Sequence, residues 1–213
     1  MEYLYFNLRP RRYPISMTRE IHQKIRSASL LMVASIVFSR VVGFLRELAI
    51  AQTMGASSLT DVYYASFTIP DFLNYLMAAG ALSISLIPIL LERDEASGHE
   101  LFRGIATWLG GVLTILIVLG VIFARTLSSL IAPGFTGEQI EILTQLVRIV
   151  LPGQLFFFWG GLANSLQHVR GMFWPSAVAP IVYNTCIILF GVTLHQRLGV
   201  SAFSYGVLVG AIA

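Results

Sequence analysis

Apolar runs of about 20 residues recur along this chain, and a helix needs about that length to cross the hydrocarbon layer of a bilayer. Inside lipid every backbone polar group must be satisfied by the protein itself, so such runs fold as helices or as a closed barrel. A barrel would show short alternating strands, and the sequence does not alternate in that way. Charged residues make up 12% of the chain, about half the usage of a soluble domain. The expectation is an all-α integral membrane protein, a polytopic helical bundle. Its breaks predict about six transmembrane helices, over about 28–54, 59–91, 101–124, 142–167, 173–194 and 200–213, after a basic cytoplasmic tail over 1–27. The tail reads as disordered, with Met17 as an alternative start. The sixth helix, begun at Val200, has 14 residues where about 20 are needed. It is expected to be incomplete, as in a piece of a longer protein.

The first span contains Ser39-Arg40-Val41-Val42-Gly43-Phe44-Leu45-Arg46-Glu47. At about 1.5 Å per residue, Arg40 lies near the middle of the span and Arg46 about 9 Å further along. A cation at that depth costs at least about 2.5 kcal/mol unless it faces a polar cavity or a partner. Two in one helix point to a water-filled path that receives an anionic group. The competing reading gives Arg40 an ion-pair network with Glu47, seven residues on and on the same face, and lets Arg46 snorkel to the headgroups. Ser35, Ser39, Gly43 and Ala51 form a ridge of mostly small residues where another helix can approach closely.

The second span starts after the Gly55-Ala56-Ser57-Ser58 turn, with Ser58 or Thr60 as cap and Asp61 in the first turn. Pro70 lacks a backbone donor and should kink it. Asp71, Asn74 and Tyr75 follow the kink, then Gly80 and Pro88. A bent, polar-lined membrane helix borders a cavity. Asn74 is a candidate ligand there, or a partner for backbone loosened by Pro70. Asp61 and Asp71 read first as helix-start and kink-cap residues, with substrate or cation coupling as the alternative, and Asn184, near Pro180, as helix–helix glue. Glu92–Glu100 reads as a charged loop, and 125–141 as an outer connection broken at Ala132-Pro133-Gly134-Phe135. Phe156-Phe157-Phe158-Trp159 reads as a lipid-facing or interfacial patch.

Other chemistries find little support. The one cysteine, Cys186, excludes an intrachain disulfide. The four histidines are scattered without ligand spacing, so no metal is expected. No Gly-rich phosphate loop with Lys-Ser/Thr occurs, no cofactor or nucleic acid is implied, and no nucleophile–base pairing suggests an enzyme. Thirteen of the 14 basic residues are arginine, Lys24 being the exception. The tail carries Arg9, Arg11, Arg12, Arg19, Lys24 and Arg26, and the second and fourth connections carry Arg93, Arg103 and Arg170. The opposite side has Arg125 and Arg197, with Arg148 inside a helix. Basic residues mark the cytoplasmic side, so the amino terminus is expected there.

Ser39-Arg40-Val41-Val42-Gly43-Phe44-Leu45-Arg46, with Ala51, Gly55-Ala56, Thr60-Asp61, Pro70, Gly80-Ala81 and Pro88-Ile89-Leu90, resembles the opening two helices of the MurJ/MviN family. Ala132-Pro133-Gly134-Phe135 and Ala179-Pro180 with Asn184 fall where that family has similar segments. The likeness runs from about Ser27 to the last residue. It implies the amino-terminal lobe of a two-lobe exporter of the multidrug/oligosaccharidyl-lipid/polysaccharide superfamily. It further implies a flippase that moves lipid II, the undecaprenyl-diphosphate-linked peptidoglycan precursor, across the bacterial inner membrane by alternating access. The implied partners are that lipid-linked glycan, membrane lipids and a carboxy-terminal lobe. On this likeness Arg40 and Arg46 face the diphosphate, with Asn74 beside them, and Gly43, Ala51, Asp61, Pro70 and Gly80 serve structure or gating.

The chain departs from the family where a pair of arginines and a Glu-Gly usually follow the proline. Here Asn74-Tyr75 stands for the pair, and Ala79 precedes Gly80. Arginine offers a phosphate a permanent, bidentate charge, and asparagine offers neutral donors. A different lipid-linked glycan is therefore an alternative cargo, and a truncated or split, non-transporting lobe an alternative reading. A drug or cation exporter would prefer acidic cavity residues.

Overall fold

The computed structural model describes residues 15–77, 95–169, 172 and 174–213. Among these there are nine helices: α1 (Ile15–Met54), α2 (Ser58–Ala65), α3 (Thr68–Met77), α4 (Glu95–Ile122), α5 (Ala124–Ile131), α6 (Gly137–Val150), α7 (Gly153–Val169), α8 (Trp174–Leu198) and α9 (Ser201–Ile212). No strand occurs among the described residues, and the fold is a helical membrane bundle. Among the described residues three stretches are long and apolar enough to cross a membrane: Arg103–Ile122, Gly137–His168 and Trp174–Leu198. The α9 helix is apolar but shorter. Arg40, Arg46 and Glu47 stand in the second half of α1.

Several boundaries differ from the sequence reading, each for a local reason. The tail expected to be disordered is helical from Ile15, as α1 continues through the polar segment before Ser27. Glu95–Glu100, expected in a loop, opens α4. The expected outer connection holds α5 and the first turn of α6. That turn begins at Gly137 because Thr136 and Gln139 form a capping box. The Thr136 amide donates to Gln139 Oε1 at 2.8 Å, and the Gln139 amide donates to Thr136 Oγ1 at 3.4 Å. The span expected over 59–91 is broken between α2 and α3, at Ser66–Phe67. Pro70 lacks the donor that would meet the Ser66 carbonyl one turn back, and its ring crowds that position, so the break falls before the proline. Positions 78–91, including Gly80 and Pro88, lie outside the described residues.

The span expected over 142–167 is two helices joined at Leu151–Pro152. Pro152 again removes a donor, and Gln154 and Leu155 bond back only three residues, to the carbonyls of Leu151 and Pro152. Gly55 and Gly199 take left-handed backbone, with φ of 64° and 57°, and end α1 and α8. Their amides return to Ala51 and His195 carbonyls at 2.9 and 2.8 Å.

Two apolar cores result. One gathers Ile50, Val62, Tyr63, Leu143, Leu146, Val147, Val150, Ile187, Phe203 and Val207, from α1, α2, α6, α8 and α9. The other gathers Leu73, Ala106, Leu113, Ile117, Leu151, Phe158 and Leu162, from α3, α4 and the α6–α7 joint with α7. Val150 belongs to the first and Leu151 to the second, so the Pro152 joint sits where they meet. The aromatic run on α7 is divided between surroundings: Phe156 and Trp159 are exposed, whereas Phe158 is buried in the second core. The expectation of a lipid-facing or interfacial patch gives way at Phe158, since consecutive helical residues point about 100° apart.

Candidate functional site

On α1, Val42 and Ile50 are buried and Gly43 and Arg46 are half-buried, a spacing of three and four residues that defines one face. That face packs on α8. A Cβ at Gly43 would lie 4.0 Å from Asn184 Nδ2, so Gly43 and Asn184 meet at the crossing. The same crossing receives Arg46. Its Nη1 donates to Asn184 Oδ1 at 3.1 Å, and its Nε donates to Glu47 Oε1 at 3.2 Å. Its Nη2 forms an ion pair with the same carboxylate oxygen. Tyr64 on α2 donates its hydroxyl to the other oxygen, Glu47 Oε2. Asn184 in turn donates Nδ2 to the Pro180 carbonyl at 2.7 Å. A chain of polar contacts thus runs from α2 through α1 to α8.

A guanidinium has five N–H donors, and the contacts above use three. The remaining two, one on each Nη, are open at a side chain that keeps 29% of its exposure. Glu47 matches the charge, holding the guanidinium in place without exhausting it. Arg40 is exposed, off the face that meets α8. The ion pair considered between Arg40 and Glu47 is not formed: Glu47 pairs with its neighbour Arg46, whose guanidinium reaches it along the same turn.

A second polar feature lies beside the first. A cleft of about 230 Å³ is lined by Phe67, Asp71, Asn74, Val150, Gln154, Phe157, Tyr183 and Val207. Asn74 and Asp71 come from α3, Gln154 from just after the Pro152 joint, and Tyr183 from α8, one residue before Asn184. Tyr183 lines the cleft and precedes Asn184, and so links the two features. The remaining expected site residues are dispersed. Pro70 is buried at the start of α3, Asp61 is exposed in the first turn of α2, and Ala51 is exposed on α1. Among the described residues no three His, Cys, Asp or Glu side chains group as a metal site.

Tyr64, Gln154 and Tyr183 were not singled out in the sequence. Gln154 had a signal, a polar residue two positions after a proline within an apolar run. The tyrosines had none, since tyrosine is common in membrane helices.

The family model described as "Lipid II flippase MurJ" matches residues 50–213. The chain belongs to the MurJ family. Arg40 and Arg46 lie upstream of the matched stretch. The chain is 32% identical over 193 residues to a probable lipid II flippase MurJ of Buchnera aphidicola, which covers 86% of this chain and 38% of that protein. It is 32% identical over 184 residues to the lipid II flippase MurJ of Burkholderia cenocepacia, covering 83% and 36%. A solved structure titled "Lipid II flippase MurJ, inward closed conformation" has the same fold, with a TM-score of 0.75 at 24% identity over 86% of this chain and 40% of that one. The chain therefore spans somewhat over a third of the length of these MurJ relatives.

Proposed function

We propose that this chain is the amino-terminal lobe of a flippase that carries a lipid-linked glycan from the inner to the outer leaflet of the bacterial inner membrane by alternating access. Lipid II is the first candidate cargo. The amino terminus is cytoplasmic, and a carboxy-terminal lobe completes the path. The protein moves its cargo without making or breaking covalent bonds in it. Arg40 and Arg46 meet the diphosphate, and Asn74 offers neutral donors nearby.

The observation that carries the reading is the state of Arg46. It is fixed by Glu47 and Asn184 at a helix crossing within the bundle and keeps two donors for an incoming phosphate oxygen. Membership of the MurJ family supplies the cargo class. The neutral Asn74-Tyr75 pair favours one second reading, a different polyprenyl-diphosphate-linked glycan, which would present the same phosphates.

The test joins this chain to the remaining part of the Burkholderia cenocepacia relative and expresses it in cells depleted of their own lipid II flippase. Growth and lipid II exposure on the outer leaflet are followed. Rescue is expected, with Arg40→Ala and Arg46→Ala each lowering flipping at least about 10-fold, as loss of a charged hydrogen bond implies. Normal flipping by both variants at equal membrane levels would sink the proposal. Exposure of another lipid-linked glycan, without lipid II, would select the second reading.

A further inference from the structure

We propose that the cleft between α3, the α6–α7 joint and α8 binds a monovalent metal cation, coordinated by oxygen atoms of Asp71, Asn74, Gln154 and Tyr183. The site does not depend on the transport reading. The only ion pair among the described residues is Arg46–Glu47, so that arginine has its counter-ion and Asp71 has none. Asp71 and Asn74 are exposed, so their oxygens stand open to whatever occupies the cleft. The other polar groups of the cleft are two amides and a phenol, all neutral and all able to offer a hard oxygen.

A second observation points to a ligand. Gln154 lines the cleft, is 4% exposed, and its Oε1 has no hydrogen-bond partner among the described residues. A buried carbonyl oxygen without a donor is a standing cost that a cation or an ordered water removes. Its place just after Pro152 explains the geometry. The proline breaks the helix, and Gln154 opens the first turn of α7 in a cleft that Val150 and Val207 of the first core also line. Phe67 and Phe157 wall the cleft and lower its polarity.

Charge and size choose the ion. One carboxylate balances a monovalent cation, whereas a divalent one would leave a net charge in an apolar wall. Oxygen-only ligands suit alkali cations and exclude soft metals. About 230 Å³ is more than a bare ion needs. At roughly 30 Å³ per water it holds an ion with several waters completing its shell. Bound there, the ion would draw α3 toward the joint and α8.

The experiment uses the full chain in detergent micelles. Thermal unfolding is measured in sodium chloride, potassium chloride and choline chloride at equal ionic strength. An alkali cation at ten times its Kd should raise Tm by about 3 °C or more over choline. Asp71→Asn should lose that increment, and Gln154→Leu should reduce it. Each variant is judged by its own difference between alkali and choline salts, so an altered basal stability does not obscure the outcome. Equal Tm in all three salts, a full increment retained in Asp71→Asn, or an increment that follows pH but not the alkali ion would each overturn the site. Failure of the flippase chimera would leave these salt differences in place, which separates the two proposals.

Discussion

Arg46 and Asn184 are 138 positions apart, yet each completes the other. Asn184 is 7% exposed and uses both ends of its amide, accepting from Arg46 and donating to the Pro180 carbonyl. Replacing it by leucine keeps the volume and removes both bonds. We expect Asn184→Leu to cost about 1–3 kcal/mol, lowering Tm by about 3–8 °C in detergent. An unchanged Tm would show that water replaces the amide. At this scale the sequence was legible where chemistry conflicted with surroundings. An arginine in an apolar run calls for polar partners, which Arg46 has, and an asparagine near a proline announces a helix contact. Which partner each finds was not legible, because the partner lies on a distant helix and pairing is decided by crossing geometry. The competition for Glu47 shows this: spacing allowed Arg40, but the adjacent Arg46 reaches it.

Helices meet by different means in different places. The α1–α8 crossing is polar and loosely fitted, since a Cβ at Gly43 would make an ordinary 4.0 Å contact. The α8–α9 contact is close. A Cβ at Gly206 would fall 2.7 Å from Ile187 Cα, and one at Gly210 would fall 2.9 Å from the Tyr183 carbonyl. Gly206-Val207-Leu208-Val209-Gly210 is a small-xxx-small pattern that lets two backbones touch. Gly43→Ala should therefore be near neutral. Gly206→Ala must push backbone apart, at about 1–3 kcal/mol. Comparing the two variants by thermal unfolding checks the contrast, and an equal loss in both would contradict it. This pattern and the Thr136–Gln139 box could both be found in the sequence. They were overlooked because hydropathy dominates the reading of an apolar chain and smooths over single glycines and polar caps. The break at Leu151–Pro152 was masked in the same way, the apolar run continuing through it.

For the molecule as a whole, composition and the repeated apolar runs made the helical membrane bundle legible, since lipid leaves few alternatives. Orientation rests on arginine placement and can be tested directly. In a Cys186→Ser background, a membrane-impermeant maleimide should label Glu138→Cys in spheroplasts and label Asn7→Cys only after permeabilisation. The reverse pattern would invert the topology. The cleft was not legible, because Asp71, Gln154 and Tyr183 come from three separate parts of the chain and are brought together only by helix packing.

The α1 helix has 40 residues, about 60 Å of continuous rod, which is about twice the hydrocarbon thickness. Its polar start at Ile15 lies about 39 Å along the axis from Val41, in the middle of the apolar part. A rod of that length is a lever. A 10° change in its tilt about that midpoint sweeps the Ile15 end through about 7 Å. The helix that holds Arg46 therefore carries its own pointer, and a small rocking at the α8 crossing becomes a displacement large enough to follow with a spin or fluorescent label at the far end.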